Sequence, residues 1–96
     1  MKPSIHPKAE DEISEAAEFY LQSDPRIAIR FLDEVAYAID RINQYPLASL
    51  LIDESHRRKI VHGFPYSIFY SVSSGSIRIV ALAHQSRESD YWVGRT

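Results

Sequence analysis

The sequence predicts an α+β domain: a two-helix hairpin packed on one face of a small, mainly antiparallel sheet, which consists of a short N-terminal edge strand plus a three-stranded meander. Three observations predict it. Apolar residues recur at spacings of three and four across residues 8 to 22 and again across 25 to 44, the period of a half-buried helix. Beyond residue 56 the period falls to two, in segments rich in Ile, Val, Phe and Tyr. The connections between those segments are short, and short connections join antiparallel strands. A chain of 96 residues, 45% of them apolar, is the size of one domain with one core, so residues 1 to 96 are expected to form a single unit.

Each element has its own local reasons. "PSIH", residues 3 to 6, is a short edge strand at most, because Pro3 and Pro7 both limit ladder hydrogen bonds. Pro7 then suits the first turn of a helix, and Ala9, Ile13, Ala16, Ala17, Tyr20 and Leu21 give that helix an apolar stripe. Glu10, Asp11 and Glu12 stand where the helix dipole favours anions. "SDP", residues 23 to 25, ends the first helix and starts the second, with Asp24 as N-cap and Pro25 at the first helical position. The second stripe is Ala28, Phe31, Val35, Ala38, Ile42 and Tyr45, and Pro46 stops the helix by disfavouring helical geometry before it. "LASLLIDES" reads as a loop.

The meander is "RRKIVHG", "YSIFYSV" and "IRIVALAH". "GFP" at 63 to 65 makes one connection, and "SSGS" at 73 to 76 makes the other, with Gly75 able to take positive φ. Alternation puts Tyr66, Ile68, Tyr70 and Val72 on one face and Ser67, Phe69 and Ser71 on the other. In the last strand it sets Ile77, Ile79, Ala81 and Ala83 against Arg78, Val80, Leu82 and His84, so that Arg78 and His84 share a side. Helices on one face leave the second face of the sheet open to a partner.

Composition excludes several classes of function. There is no cysteine, hence no disulfide framework and no thiolate nucleophile or metal ligand. His6, His56, His62 and His84 are scattered, without ligand spacing, and no glycine-rich phosphate loop is present, so neither a metal nor a cofactor is expected. No run is long and apolar enough for a membrane span, and the first residues lack the apolar core of a signal peptide, so the expected compartment is the cytoplasm. Charge is uneven. Residues 1 to 55 carry five cations against eleven acids, whereas 56 to 96 carry six cations against two acids, giving an acidic first half and a basic second half.

The helix hairpin ending in "YP", the "FPYSIFY" segment and the "AHQSRESDYW" ending, which spells His-x-x-Arg-x-x-x-Tyr-Trp, together resemble the RelE/ParE family of toxins from bacterial type II toxin–antitoxin pairs. The resemblance covers nearly the whole chain and lies closer to the ParE and plasmid-stabilisation side. It implies a toxin that inhibits growth by binding DNA gyrase and is neutralised by a cognate antitoxin, part of which is disordered and folds along the toxin; the antitoxin complex would bind operator DNA. The RelE-like alternative is an mRNA endoribonuclease that acts on the ribosome. A non-toxic binding domain that keeps only the fold is a third reading.

Residue chemistry can be set beside these readings. Cleavage through the 2′-hydroxyl needs a base, an acid and cations around the phosphate. Lys59 or His84 would act as base or acid, Arg87 with Arg58 and Arg78 would hold the phosphate, and Tyr91 would stack a base or donate a proton. After residue 8 the chain has one lysine, Lys59, which is thin for that work. For binding of a target or antitoxin the candidates are Arg57, Arg58, Lys59, Arg78, His84 and Arg87, with His84 and Arg87 projecting beside Arg58 at the edge of the open face. Tyr91 and Trp92 are expected to close one end of the core with their polar atoms at the surface, and Phe64, Pro65 and Tyr66 to be architectural.

Overall fold

In a computed structural model that describes residues 3–88 and 90–96, two helices pack against an open five-stranded mixed sheet. In chain order the elements are β1 (Ser4–Ile5), α1 (Pro7–Ser23), α2 (Pro25–Gln44), β2 (Leu50–Leu51), β3 (His56–Ile60), β4 (Tyr66–Ser73) and β5 (Ser76–His84). The strand order is β1-β5-β4-β3-β2, with β1 parallel to β5 and every other neighbouring pair antiparallel. The α+β architecture read from periodicity is therefore the one adopted.

The helices start where their caps dictate. Asp24 Oδ1 accepts from Arg26 N–H at 2.9 Å, leaving Pro25 at the position whose missing N–H costs nothing. The first cap is His6, whose Nδ1 accepts from Lys8 N–H at 3.0 Å, a role the sequence did not suggest. The hairpin between β4 and β5 turns on Ser74 (φ 50°) and Gly75 (φ 77°), two successive left-handed residues that match the twist of the strands they join.

The core lies between the hairpin and one sheet face. Phe31, Val35, Ala38 and Ile42 of α2 meet Ile68, Tyr70, Ile77 and Ile79, and Ala9 and Ala16 of α1 complete the cluster. Tyr20, Phe31, Phe64 and Tyr66 form an aromatic corner with neighbouring centroids 5.1 to 6.4 Å apart, so the Phe-Pro-Tyr segment is architectural, as expected. Tyr70 is fully buried and donates its hydroxyl to Pro46 O at 2.7 Å, which ties the end of α2 to the sheet.

Two expectations need correction. "LASLLIDES" is not all loop: Leu50 and Leu51 pair with Arg58 and Arg57 and form the outermost strand. Arg57 extends the attachment, its Nη1 donating to Leu47 O at 3.1 Å and Ser49 O at 2.8 Å. Second, Arg78 and His84 do not share a side. Phe69 pairs with Ala81 but Tyr70 pairs with Ile79, so Val80 is an extra residue in β5, a β-bulge that resets the alternation. Beyond it Leu82 faces the helices beside Ile79. His84 follows Leu82 and stands edge-on to Tyr66 at 5.1 Å, whereas Arg78 pairs with Ser71 on the other face.

Candidate functional site

The second sheet face is not fully open, because the chain after β5 folds back over it. Trp92 stacks on Phe69 at 4.9 Å, meets His56 edge-on at 4.7 Å and joins Val80 and Ala81 in a small second core. Its residue surface is 2% exposed, and Nε1 is buried with no hydrogen-bond partner, so the expectation that its polar atom reaches the surface is overturned. Asp53 holds His56 in that position. Its carboxylate accepts from Ser55 and His56 N–H at 2.8 Å and lies 3.1 Å from His56 Nδ1, and its pKa is held below the usual carboxylate value, chiefly by the Ser55 N–H.

What holds this returning segment is a charged cluster that sequence reasoning missed. Glu12 of α1 accepts from Tyr91 Oη at 2.6 Å, from Arg95 Nη1 at 2.9 Å and from Leu82 N–H at 3.1 Å. Arg95 Nη1 also donates to Val80 O at 2.9 Å, and Tyr91 Oη lies 3.3 Å from Leu82 O. The reason is β1. Being two residues long, it covers β5 only as far as Ile79, whose carbonyl accepts from His6 N–H at 2.8 Å. Beyond Ile79 the backbone groups of β5 that point away from β4 meet no strand among the described residues, and the three side chains satisfy them. Burial, followed by the hydrogen bond and charge of Glu12, raises the Tyr91 pKa well above its ordinary value.

At the end of β5 the cluster passes into the candidate site. His84 O accepts from Arg87 N–H at 2.9 Å, and His84 Nδ1 accepts from Ser86 N–H at 3.0 Å. A backbone N–H only donates, so Nδ1 is the acceptor and Nε2 carries the hydrogen of the neutral ring. Arg87 lies over the Tyr91 ring, 4.0 Å from its centroid, a cation–π contact that keeps the guanidinium at the mouth of the site. One cleft is lined by His84, Arg87, Arg58, Ser67, Phe69 and Trp92. A second, against α1, is lined by His84, Arg87 and Tyr91 with Glu12, Glu15 and Phe19.

The candidates therefore divide. His84, Arg87 and Arg58 come together around one cleft, as the sequence suggested. Lys59 pairs with Ile68 and so points to the opposite face from Arg58; it lines a cleft with Arg41 and Tyr45 and meets Arg58 only at the β2 edge, sharing no cleft with His84 or Arg87. Arg57 is held by backbone carbonyls, and Arg78 Nη2 donates to Thr96 O at 3.1 Å, away from His84. Tyr91 is present at the site, but its hydroxyl is already committed to a carboxylate. Among the described residues no group of three or more His, Asp or Glu side chains is arranged to hold a metal ion, and no helix is long and apolar enough to cross a membrane.

No protein in a search of curated sequences matches this chain. A family model does, described as the ParE toxin of the type II toxin–antitoxin system parDE, over residues 4–89. That range runs from β1 through His84 and Arg87 and stops short of Tyr91, Trp92 and Arg95. With most of its length inside the match, the chain belongs to the ParE family of type II toxin–antitoxin toxins.

Proposed function

We propose that this toxin acts by binding rather than by cutting, that its target is DNA gyrase, and that a cognate antitoxin neutralises it in the cytoplasm. The observation that carries the reading is the separation of the groups a nuclease would need. A base, an acid and phosphate-holding cations must face one bond. Here Lys59 lines a cleft with Arg41 and Tyr45, while His84 and Arg87 line the cleft with Arg58. The Tyr91 hydroxyl donates to Glu12, and its raised pKa makes it a weak proton donor. What His84, Arg87 and Arg58 offer together is a hydrogen-bonding, cationic surface beside the apolar Phe69 and Trp92, suited to an acidic patch on a protein target.

The test is to add the purified chain to a gyrase supercoiling reaction and, separately, to translating ribosomes carrying a defined mRNA. Inhibited supercoiling with intact mRNA is the expected result. Arg87→Ala and Arg58→Ala should each weaken inhibition by about tenfold, the equivalent of one lost charged contact of about 1.4 kcal/mol, without loss of fold. Cleaved mRNA with unaffected gyrase would overturn the proposal in favour of the endoribonuclease.

A further inference from the structure

His84 closes the exposed turn that leaves β5, and an imidazole is more than that turn requires. Its Nδ1 accepts from Ser86 N–H at 3.0 Å, and Ser86 Oγ lies 2.8 Å from the same nitrogen. The side-chain oxygen of an Asn or Asp would accept from the N–H two residues on in the same way, which is the ordinary chemistry of such turns. What the ring adds is a second nitrogen. With Nδ1 committed as acceptor, Nε2 carries the hydrogen of the neutral ring, and it meets no acceptor among the described residues.

The exposed ring is nevertheless held from several sides. Tyr66 stands edge-on to it at 5.1 Å, Gln85 N–H donates to Pro65 O at 2.9 Å, and Arg87 N–H donates to His84 O at 2.9 Å. The last of these bonds sets His84 and Arg87 on one turn as a pair of donors. Both residues line both clefts, and local charge decides between the two. Against α1 the acids are Glu12 and Glu15, with Arg87 the single arginine. On the sheet side Arg58 and Arg87 stand with a single acid, Glu88. Among the described residues the ion pairs are Arg26–Asp24, His56–Asp53 and Arg95–Glu12, so neither arginine is paired there, and an anion is favoured on the sheet side.

Resting on the reading of the chain as a binder of a protein target, we infer that Ser86 is a positioning residue for that binding. It turns His84 so that Nε2–H, together with the Arg87 guanidinium, takes a carboxylate of the target in the cleft that Arg58 also lines. A neutral donor beside a cation suits a carboxylate, whose two oxygens accept separately and whose charge strengthens both bonds. Ser86 itself touches only the ring nitrogen on the other side, so it acts through His84.

Two measurements on the full chain test this. The first needs no target: the ring nitrogens of His84 are observed by NMR at about pH 8, above the ordinary histidine range, while acetyl-glutamate amide or its neutral isostere acetyl-glutamine amide is titrated at constant ionic strength. The hydrogen should sit on Nε2, and the glutamate compound should shift the His84 Nε2 and Arg87 signals saturably where the glutamine compound does not. Ser86→Ala should weaken that binding about threefold to tenfold, the range of one lost hydrogen bond, and Ser86→Thr should restore it, with both variants unfolding at the wild-type midpoint. The second is gyrase inhibition by two variants of His84. Asn keeps the acceptor that closes the turn and Gln keeps a donor in place of Nε2–H, so His84→Asn should lose at least about tenfold with its fold intact and His84→Gln should lose less. A hydrogen on Nδ1, an equal or unsaturable response to the two compounds, a Ser86→Ala loss matched by a lower unfolding midpoint, or full inhibition by His84→Asn would overturn the inference. A wild-type chain that binds the glutamate compound but leaves gyrase working sinks only the gyrase target, and gyrase inhibition without a response at His84 sinks only the role of Ser86.

Discussion

Replacing Glu12 with glutamine keeps the size of the side chain and removes its charge from the middle of four donors. Arg95 would keep Val80 O as a partner but lose its counter-charge, and Leu82 N–H and Tyr91 Oη would face an amide with half the accepting capacity. Hydrogen bonds to charged groups contribute about 1.5 to 3 kcal/mol each, and removing one member of a buried ion pair costs about 3 to 5 kcal/mol. Glu12 and Arg95 side chains are 15% and 14% exposed, so water moderates the loss, and about 2 to 3 kcal/mol is expected. For a domain of this size that lowers Tm by roughly 10 to 20 °C. The assay is denaturant unfolding of Glu12→Gln, Arg95→Met and the double variant, followed by Trp92 fluorescence, which is unambiguous because the chain has one tryptophan. A coupling energy of at least about 1 kcal/mol between the two sites is expected. A loss under about 0.5 kcal/mol for Glu12→Gln, as for an ordinary surface substitution, would refute the argument.

Trp92→Ala should cost about 3 to 5 kcal/mol, because it empties the stack between Phe69 and His56; calorimetry checks this, and a change under about 1 kcal/mol would mean that the returning segment does not pack. Above about pH 10 the unfolded chain releases tyrosine protons that folded Tyr91 retains, so stability should fall as pH rises past that point. Tyr91→Phe should flatten that fall, measured as urea midpoints from pH 8 to 11, although Tyr20 and Tyr66, also raised by burial, will keep part of it. Tyr70→Phe should cost about 1 kcal/mol and speed amide exchange in residues 46 to 52, since the hydroxyl bond to Pro46 O is lost. Arg57→Ala should loosen the same segment yet leave gyrase inhibition unchanged, in contrast to Arg58→Ala; equal effects on inhibition would refute the division of the basic triplet.

The helices were legible because their signals are local. Asp24 and Pro25 fix one boundary and Pro46 another, and the stripe from Ala28 to Ile42 is buried as its spacing implies. The bulge was not legible, because "VALA" is apolar throughout: Val80, Ala81, Leu82 and Ala83 are all buried, so no polar residue marks where the alternation changes phase. Leu50 and Leu51 read as loop because a strand paired on one edge and exposed on both faces has no alternation to show. Glu12 was hidden by a sufficient local explanation, the helix dipole. Its position between Ala9 and Ala16, both buried, set an acid on the apolar stripe and was the available clue. Its partner Arg95 is 83 residues away and no local pattern names it.

The chain is joined end to end. Ser4 and Ile5 pair with Arg78 and Ile79, and Glu12 waits for Tyr91 and Arg95. On a ribosome the helix hairpin can form as soon as it emerges, but β1 has no strand to join and Glu12 no cation until almost the whole sequence has been translated. A newly made chain is therefore at first an unfinished one, its helices formed and its sheet still open. Between the emergence of α2 and the completion of the sheet, Ser4, Ile5 and Glu12 stand ready on a hairpin whose partners have yet to be made.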